Sequence, residues 1–205
     1  GKFSPALFAI MGAFMENNPA TSFIEPFGVQ FDLAAGIMEH PADHIARRAS
    51  DMRGYYADEG ALERLIAAAD DPVHYETFES PVPEQYGHLR YCISKLYPGL
   101  VGDECFMTKG HYHTVLETGE IYLCLRGAGG MMMKTSNGDC RWEPFAPGRM
   151  VYVPPYWGHR SINTGDEPLV SLCIYPGDAG HNYGDIRTEG FPQRVYKRDG
   201  RMVIV

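Results

Sequence analysis

From residue 90 onward the chain breaks into short apolar or alternating runs, each closed by a turn signal, and this succession limits the fold more than any other feature. "YCISKLYPG", "EIYLCLRGAGG", "MMMKTSNGD", "RMVYVPP", "HRSINTGDEP", "LVSLCIYPG" and "RVYKRDGRMVIV" follow one another at close intervals. Such runs read as strands, and the Asn-Gly of "SNGD" and the Asp-Gly of "KRDGRM" are strong hairpin turns. Strands in sequence without intervening helices predict a small antiparallel sandwich or barrel. Upstream the texture differs. Residues 33–70 read as helical, most clearly "DEGALERLIAAADD", where Asp58 is a candidate N-cap and apolar positions 61, 62, 65 and 66 share one helix face. No repeat, low-complexity tract or linker divides the 205 residues. Residues 1–89 are therefore expected to form an N-terminal arm and helical segment packed on a β-barrel of residues 90–205, in one structural domain.

Composition narrows the partners. A formal net charge of −8 argues against nucleic acid or an anionic membrane surface as the main partner, so an anionic ligand would need local groups to attract it. The five cysteines are odd in number and lack a CxxC pair, which fits buried thiols of a reducing cytoplasm better than a disulfide frame. Near the start, "KFSPALFAIMGAFMENNPA" holds an apolar run interrupted by a proline and a glycine and too short to span a membrane. It is expected to be an arm packing on the body or on a partner subunit rather than a signal peptide.

The chemistry concentrates in "KGHYHTVLETGE", residues 109–120. Alternate residues of a strand share a face, so His111 and His113 would point the same way. A third histidine, His159, follows in "PGRMVYVPPYWGHRSIN". Three imidazoles and one carboxylate make a mixed nitrogen and oxygen set suited to Fe(II), Mn(II), Zn(II) or Ni(II). In an octahedral site, four protein ligands leave two positions open for substrate or water. The other histidines (His40, His44, His74 and His88) show no ligand spacing and read as surface or local structure, and Met131 to Met133 read as strand core.

H-x-H, then a glutamate, then Gly148, Pro154, His159 and Asn163 resemble the two-part signature of cupins, with Tyr156 where the general pattern has glycine. Within the first part, one half of the general spacing selects Glu117 and the other half Glu120. A narrower resemblance chooses between them. "YPG…GDECFMTKGHYHT…E-x-GEIYLCLRGAGGMM", "VPPYWGHR" and "IYPGDAGHNYGDI" are similar to the cupin-type glucose-6-phosphate isomerases, nearly without gaps from about residue 90 to 187. That family has its glutamate ligand seven residues after the second histidine, which selects Glu120.

This resemblance implies a mainly β fold, a single cupin jelly-roll (double-stranded β-helix) barrel. It also implies interconversion of glucose 6-phosphate and fructose 6-phosphate through a cis-enediol, a reaction of glycolysis and gluconeogenesis. His111, His113, Glu120 and His159 would hold one divalent metal per subunit, with Fe(II) favoured, and Glu120 would also be the catalytic base. No P-loop motif is present, so hydroxyls, backbone N–H groups and a protonated imidazole would have to bind the phosphate. By resemblance these are Ser94, Thr108, Gly110, Tyr175, His181 and Tyr183, with Tyr122 lining the sugar pocket. A homodimer is the family expectation. The alternatives are another cupin chemistry on the same metal, such as a dioxygenase, or a non-catalytic sugar-sensing cupin.

Overall fold

The structure, a computed structural model, describes residues 24–205; the expected apolar arm lies outside the described residues. In chain order the first strands are β1 (Phe31–Asp32), β2 (Ile37–Met38) and β3 (Asp43–Arg48), followed by a 3-10 turn at Ala49–Met52 and a helix at Glu59–Ala68. Next come β4 (Val73–Glu79), β5 (Leu89–Leu96), β6 (Leu100–Val101) and β7 (Glu104–Cys105). The strands β8 (Glu120–Arg126), β9 (Gly129–Lys134), β10 (Cys140–Phe145), β11 (Met150–Val153), β12 (Gly158–Asn163) and β13 (Leu169–Pro176) carry most of the fold. A short helix at Gly184–Glu189 precedes the last hairpin, β14 (Val195–Arg198) and β15 (Arg201–Ile204).

A six-stranded antiparallel sheet, in the order β11-β8-β13-β5-β4-β3, faces a three-stranded one, β10-β9-β12. Between them lies the main core, which draws Cys92 and Leu96 from β5, Cys124 from β8, Met131 and Met132 from β9, Val151 and Val153 from β11 and Ile162 from β12. The methionine run is strand core, as its sequence suggests. The outer face of the large sheet is covered too: Met38 joins Phe78, Ile93 and Val170 in a second cluster. Both hairpin signals mark real turns. Gly138 has φ +91° between β9 and β10, and Asp199 and Gly200 have φ +50° and +72° between β14 and β15.

Two features of the upstream segment depart from the sequence reading. Only Glu59–Ala68 of residues 33–70 is α-helix, capped by Asp58, whose side chain accepts from the Ala61 N–H, with Ala61 and Leu62 buried. Asp43–Arg48 is instead a strand, and β3 pairs with β4 as β4 pairs with β5. Residues 43–79 thus extend the sheet of the barrel strands rather than merely packing on it. Pairing with a neighbouring strand outweighs the helix propensity of the Ala-Arg-Arg sequence.

Candidate active site

A backbone bridge assembles the histidines. The His111 N–H donates to the His159 carbonyl at 3.1 Å and the His159 N–H to the His111 carbonyl at 3.0 Å, which brings the ring centroids to 4.4 Å. Gly110 turns the chain into this bridge with φ +76°, and a Cβ there would lie 2.8 Å from the His159 carbonyl oxygen. Only glycine allows the two segments to meet so closely.

Local hydrogen bonds then orient the rings. The Thr118 hydroxyl donates to the Val115 carbonyl at 2.6 Å, so its oxygen accepts from His113 Nδ1 at 2.8 Å. The Thr118 carbonyl is a further acceptor for Nδ1 at 3.1 Å, and the Trp157 carbonyl lies 3.3 Å from His159 Nδ1. A proton kept on Nδ1 leaves the Nε2 lone pair free to bind a metal.

Glu120, the first residue of β8, points its carboxylate at the same spot. Its Oε2 lies 2.9 Å from His159 Nε2, 3.2 Å from His113 Nε2 and 4.0 Å from His111 Nε2. Lone pairs and a negative oxygen converging in a buried space demand a positive charge between them. A proton partly answers this demand. Burial would raise the Glu120 carboxyl, but the hydrogen bonds with His113 and His159 hold its pKa down to about 2. Burial opposes charge on His113, yet the Glu120 contact raises its pKa. His111 is left over: its buried Nε2 has no partner, and burial, with His159, His181 and His113 alongside, drives its pKa well below the usual range.

A divalent metal fits this donor set. The four donor atoms all lie within 4.8 Å of one another. Atoms bonded to one ion at about 2.1 Å can be at most about 4.2 Å apart, so a contraction of a few tenths of an ångström closes the site. No thiolate takes part, which suits a borderline or hard divalent ion.

One cavity of about 340 Å³ adjoins the cluster. Ser94, Thr108, Gly110, His111, Glu120, Tyr122, Tyr175, His181 and Tyr183 all line it, whereas His113 and His159 complete the cluster without lining the cavity. The Tyr122 hydroxyl reaches to 3.2 Å from His159 Nε2. His181 sits edge-on to His111 at 4.5 Å between centroids and stacks on Tyr183 at 6.1 Å. Burial pushes the His181 pKa down. Tyr175 donates its hydroxyl proton to Glu79 at 3.1 Å. Glu117 is exposed in the turn before β8, away from the cluster.

Several lining residues escaped the sequence reading. Arg47 of β3, Tyr75, Thr77 and Glu79 of β4, Arg90 of β5 and Ser161 of β12 all face the cavity. The signal was present as the period-two spacing of Tyr75, Thr77 and Glu79, which points three alternate side chains of one strand inward. Thr118, which orients His113, carried no signal beyond its nearness to the motif.

A double-sheet antiparallel jelly roll with three histidines and a glutamate gathered beside a polar cavity defines the cupin class, with a donor set able to take a metal. Residues 46–205 match the family model described as glucose-6-phosphate isomerase (GPI), and the chain belongs to that family. The glucose-6-phosphate isomerase of Thermococcus gammatolerans is 49% identical over 88% of this chain and 94% of its own length. That of Pyrococcus furiosus is 48% identical over 88% of this chain and 95% of its own. A solved structure of Bacillus subtilis oxalate decarboxylase is 31% identical, with a TM-score of 0.38 over 44% of this chain and 22% of that one, and adds nothing to the assignment.

Proposed function

We propose that this chain is a metal-dependent aldose–ketose isomerase that interconverts glucose 6-phosphate and fructose 6-phosphate. The observation that carries this reading is Glu120, which belongs to the metal-ligand cluster and lines the cavity at once. A carboxylate so placed can take a proton from carbon 2 of the open-chain aldose and return it to carbon 1 of the resulting cis-enediol. Its depressed pKa keeps it ionised at neutral pH, as a base must be. A divalent ion held by His111, His113, Glu120 and His159 would supply positive charge beside the sugar oxygens on those two carbons. Fe(II) is favoured, with Mn(II), Zn(II) and Ni(II) compatible with the same donors.

The remaining residues bind and orient. Ser94 and Thr108 offer hydroxyls and Gly110 a backbone N–H to the phosphate. Tyr175, His181 and Tyr183 supply further polar groups, and Tyr122 faces the sugar from beside His159. We read the protein as a cytoplasmic homodimer. All five cysteines are free thiols, which supports a reducing compartment. An apolar groove on the outer face of the large sheet, with Phe27, Leu89, Tyr91 and Leu172, supports a second subunit as its cover.

Metal analysis of the purified protein, paired with a coupled assay for fructose 6-phosphate conversion, tests the reading. Activity should vanish with EDTA and return with Fe(II) or Mn(II). Full turnover by demonstrably metal-free protein would remove the metal from the mechanism, and no turnover with any of the four ions would remove the isomerase reading.

A further inference from the structure

The chain carries a net charge of −8, yet one end of its cavity is lined by Arg47, which no carboxylate pairs among the described residues. Elsewhere many basic side chains are paired: Arg53 holds Glu63, Lys134 holds Glu189, Arg194 holds Glu104 and Lys197 holds Asp166. Among the described residues, no carboxylate lies within ion-pair distance of Arg47, Lys109 or Arg187. Arg47 lines the cavity from β3, opposite Tyr75 of β4, which lines it too. Lys109 lies between Thr108 and Gly110, with its Nζ 5.8 Å from the centroid of the Tyr55 ring. Tyr55 also feels the charge of Arg187, Arg160 and Arg47, so these cations lie in one neighbourhood, in which Arg47 is the one that lines the cavity.

The far end has the opposite character. Asp43 pairs with Glu79 across β3 and β4, and both line the cavity with Glu84. The cation there, Arg90, is already committed to Glu79 and Glu84, and the Tyr175 hydroxyl donates a hydrogen bond to Glu79. Asp43 and Arg47 are four residues apart on one strand, which separates the two ends by about 13 Å. The cavity is therefore polarised along β3.

We propose that Arg47 is a further substrate-binding residue: its guanidinium grips the phosphate dianion, while Lys109 and Arg187 add positive potential from outside the cavity lining. This rests on the isomerase reading above and adds the direction in which the sugar phosphate enters. A guanidinium matches two phosphate oxygens at once, and the hydroxyl of Thr108 and the N–H of Gly110 line the same cavity. Carboxylates at the other end repel a reversed substrate. Unpaired cations also raise the capture rate of an anion that the net charge of the protein would otherwise repel.

The test compares metal-loaded parent protein with Arg47→Gln, Arg47→Lys and Arg201→Gln. Arg201 is an exposed residue of the last hairpin, and its change alters net charge as Arg47→Gln does. For each, calorimetric titration with inorganic phosphate is paired with KM and kcat for fructose 6-phosphate at low and high salt. Arg47→Gln should weaken phosphate binding and raise KM by about tenfold or more, with kcat within about threefold and a flatter salt dependence. Arg47→Lys should recover part of the loss, and Arg201→Gln should match the parent. Parent-like phosphate affinity and KM in Arg47→Gln would overturn the proposal, as would an equal loss in Arg201→Gln. If the parent itself does not isomerise fructose 6-phosphate, the functional reading fails, while the phosphate titration still decides the role of Arg47.

Discussion

Glu117 and Glu120 lie three positions apart and differ in everything that makes a carboxylate useful here. Glu120 opens β8, where the strand fixes its direction and Tyr122 shares its face. It is 3% exposed and points Oε2 at three imidazoles. Glu117 sits exposed in the preceding turn, with no partner from the cluster. Replacing Glu120 by Gln keeps an oxygen that can approach a metal but removes the base that accepts a carbon-bound proton. A general base is typically worth about 10²–10⁴ in rate, so Glu120→Gln should lower kcat by more than about a hundredfold. Glu117→Gln should stay within a few-fold of the parent. Steady-state assays of the two metal-loaded variants decide the matter, and a reversed result would mean that Glu117 swings in to serve the site.

At the scale of elements, the hairpins and the strands from residue 90 onward were legible because their signals are local: alternation and Asn-Gly or Asp-Gly turns. The His-x-His pair and His159 were legible as short motifs, although the pair lies between β7 and β8 rather than on a strand, with His111 joined to His159 by an isolated bridge. β3 was not. Its six residues, Asp-His-Ile-Ala-Arg-Arg, suit a helix as well as a strand, and β4, its pairing partner, begins 30 residues after β3 starts. The cavity wall that carries Arg47 and Thr77 was hidden with it. One local irregularity was visible in the sequence and now has a physical cause. Tyr156 stands where the general cupin pattern has glycine, and it adopts φ +70° in the turn between β11 and β12. A left-handed conformation costs a non-glycine residue roughly 1–2 kcal/mol, while glycine gives back part of that in chain entropy. Tyr156 is 55% exposed, so little packing is lost on its removal. Tyr156→Gly should therefore raise the melting temperature by roughly 2–4 °C, read by circular dichroism at fixed metal concentration. A comparable fall instead would show that the ring contributes more than its exposure suggests.

For the whole molecule, the cluster joins two sheets: Glu120 belongs to the six-stranded sheet, and His159 to the three-stranded one. A metal bound there should stabilise the fold as well as complete the site, by about 2.7 kcal/mol when present at a hundred times its dissociation constant. Stripping it with EDTA should lower the melting temperature by roughly 5–10 °C, and an unchanged midpoint would mean that no ion bridges the sheets. Acid stability depends on a different buried group. His74 is fully buried on β4, stacked on Phe106 at 3.7 Å between centroids and 2.5 Å from the Tyr56 hydroxyl. Burial pushes its pKa down to about 3, and its Nδ1 has no partner. In the unfolded chain the same ring takes up a proton near its ordinary value of about 6.5. Between these two values the unfolded state binds the extra proton, so stability present above pH 6.5 is lost as the pH falls toward 3, by up to about 1.4 kcal/mol per pH unit. His111, also depressed by burial, adds to the trend in the same direction once the metal is removed. His74→Phe keeps the stacking and removes the titration, so it isolates the His74 share. Denaturant unfolding of metal-free protein between pH 6 and 4 should give a steeper loss of stability in the parent than in His74→Phe, whatever the offset between them at pH 7. Parallel slopes would show that His74 is already protonated, or already neutral, in both states over that range.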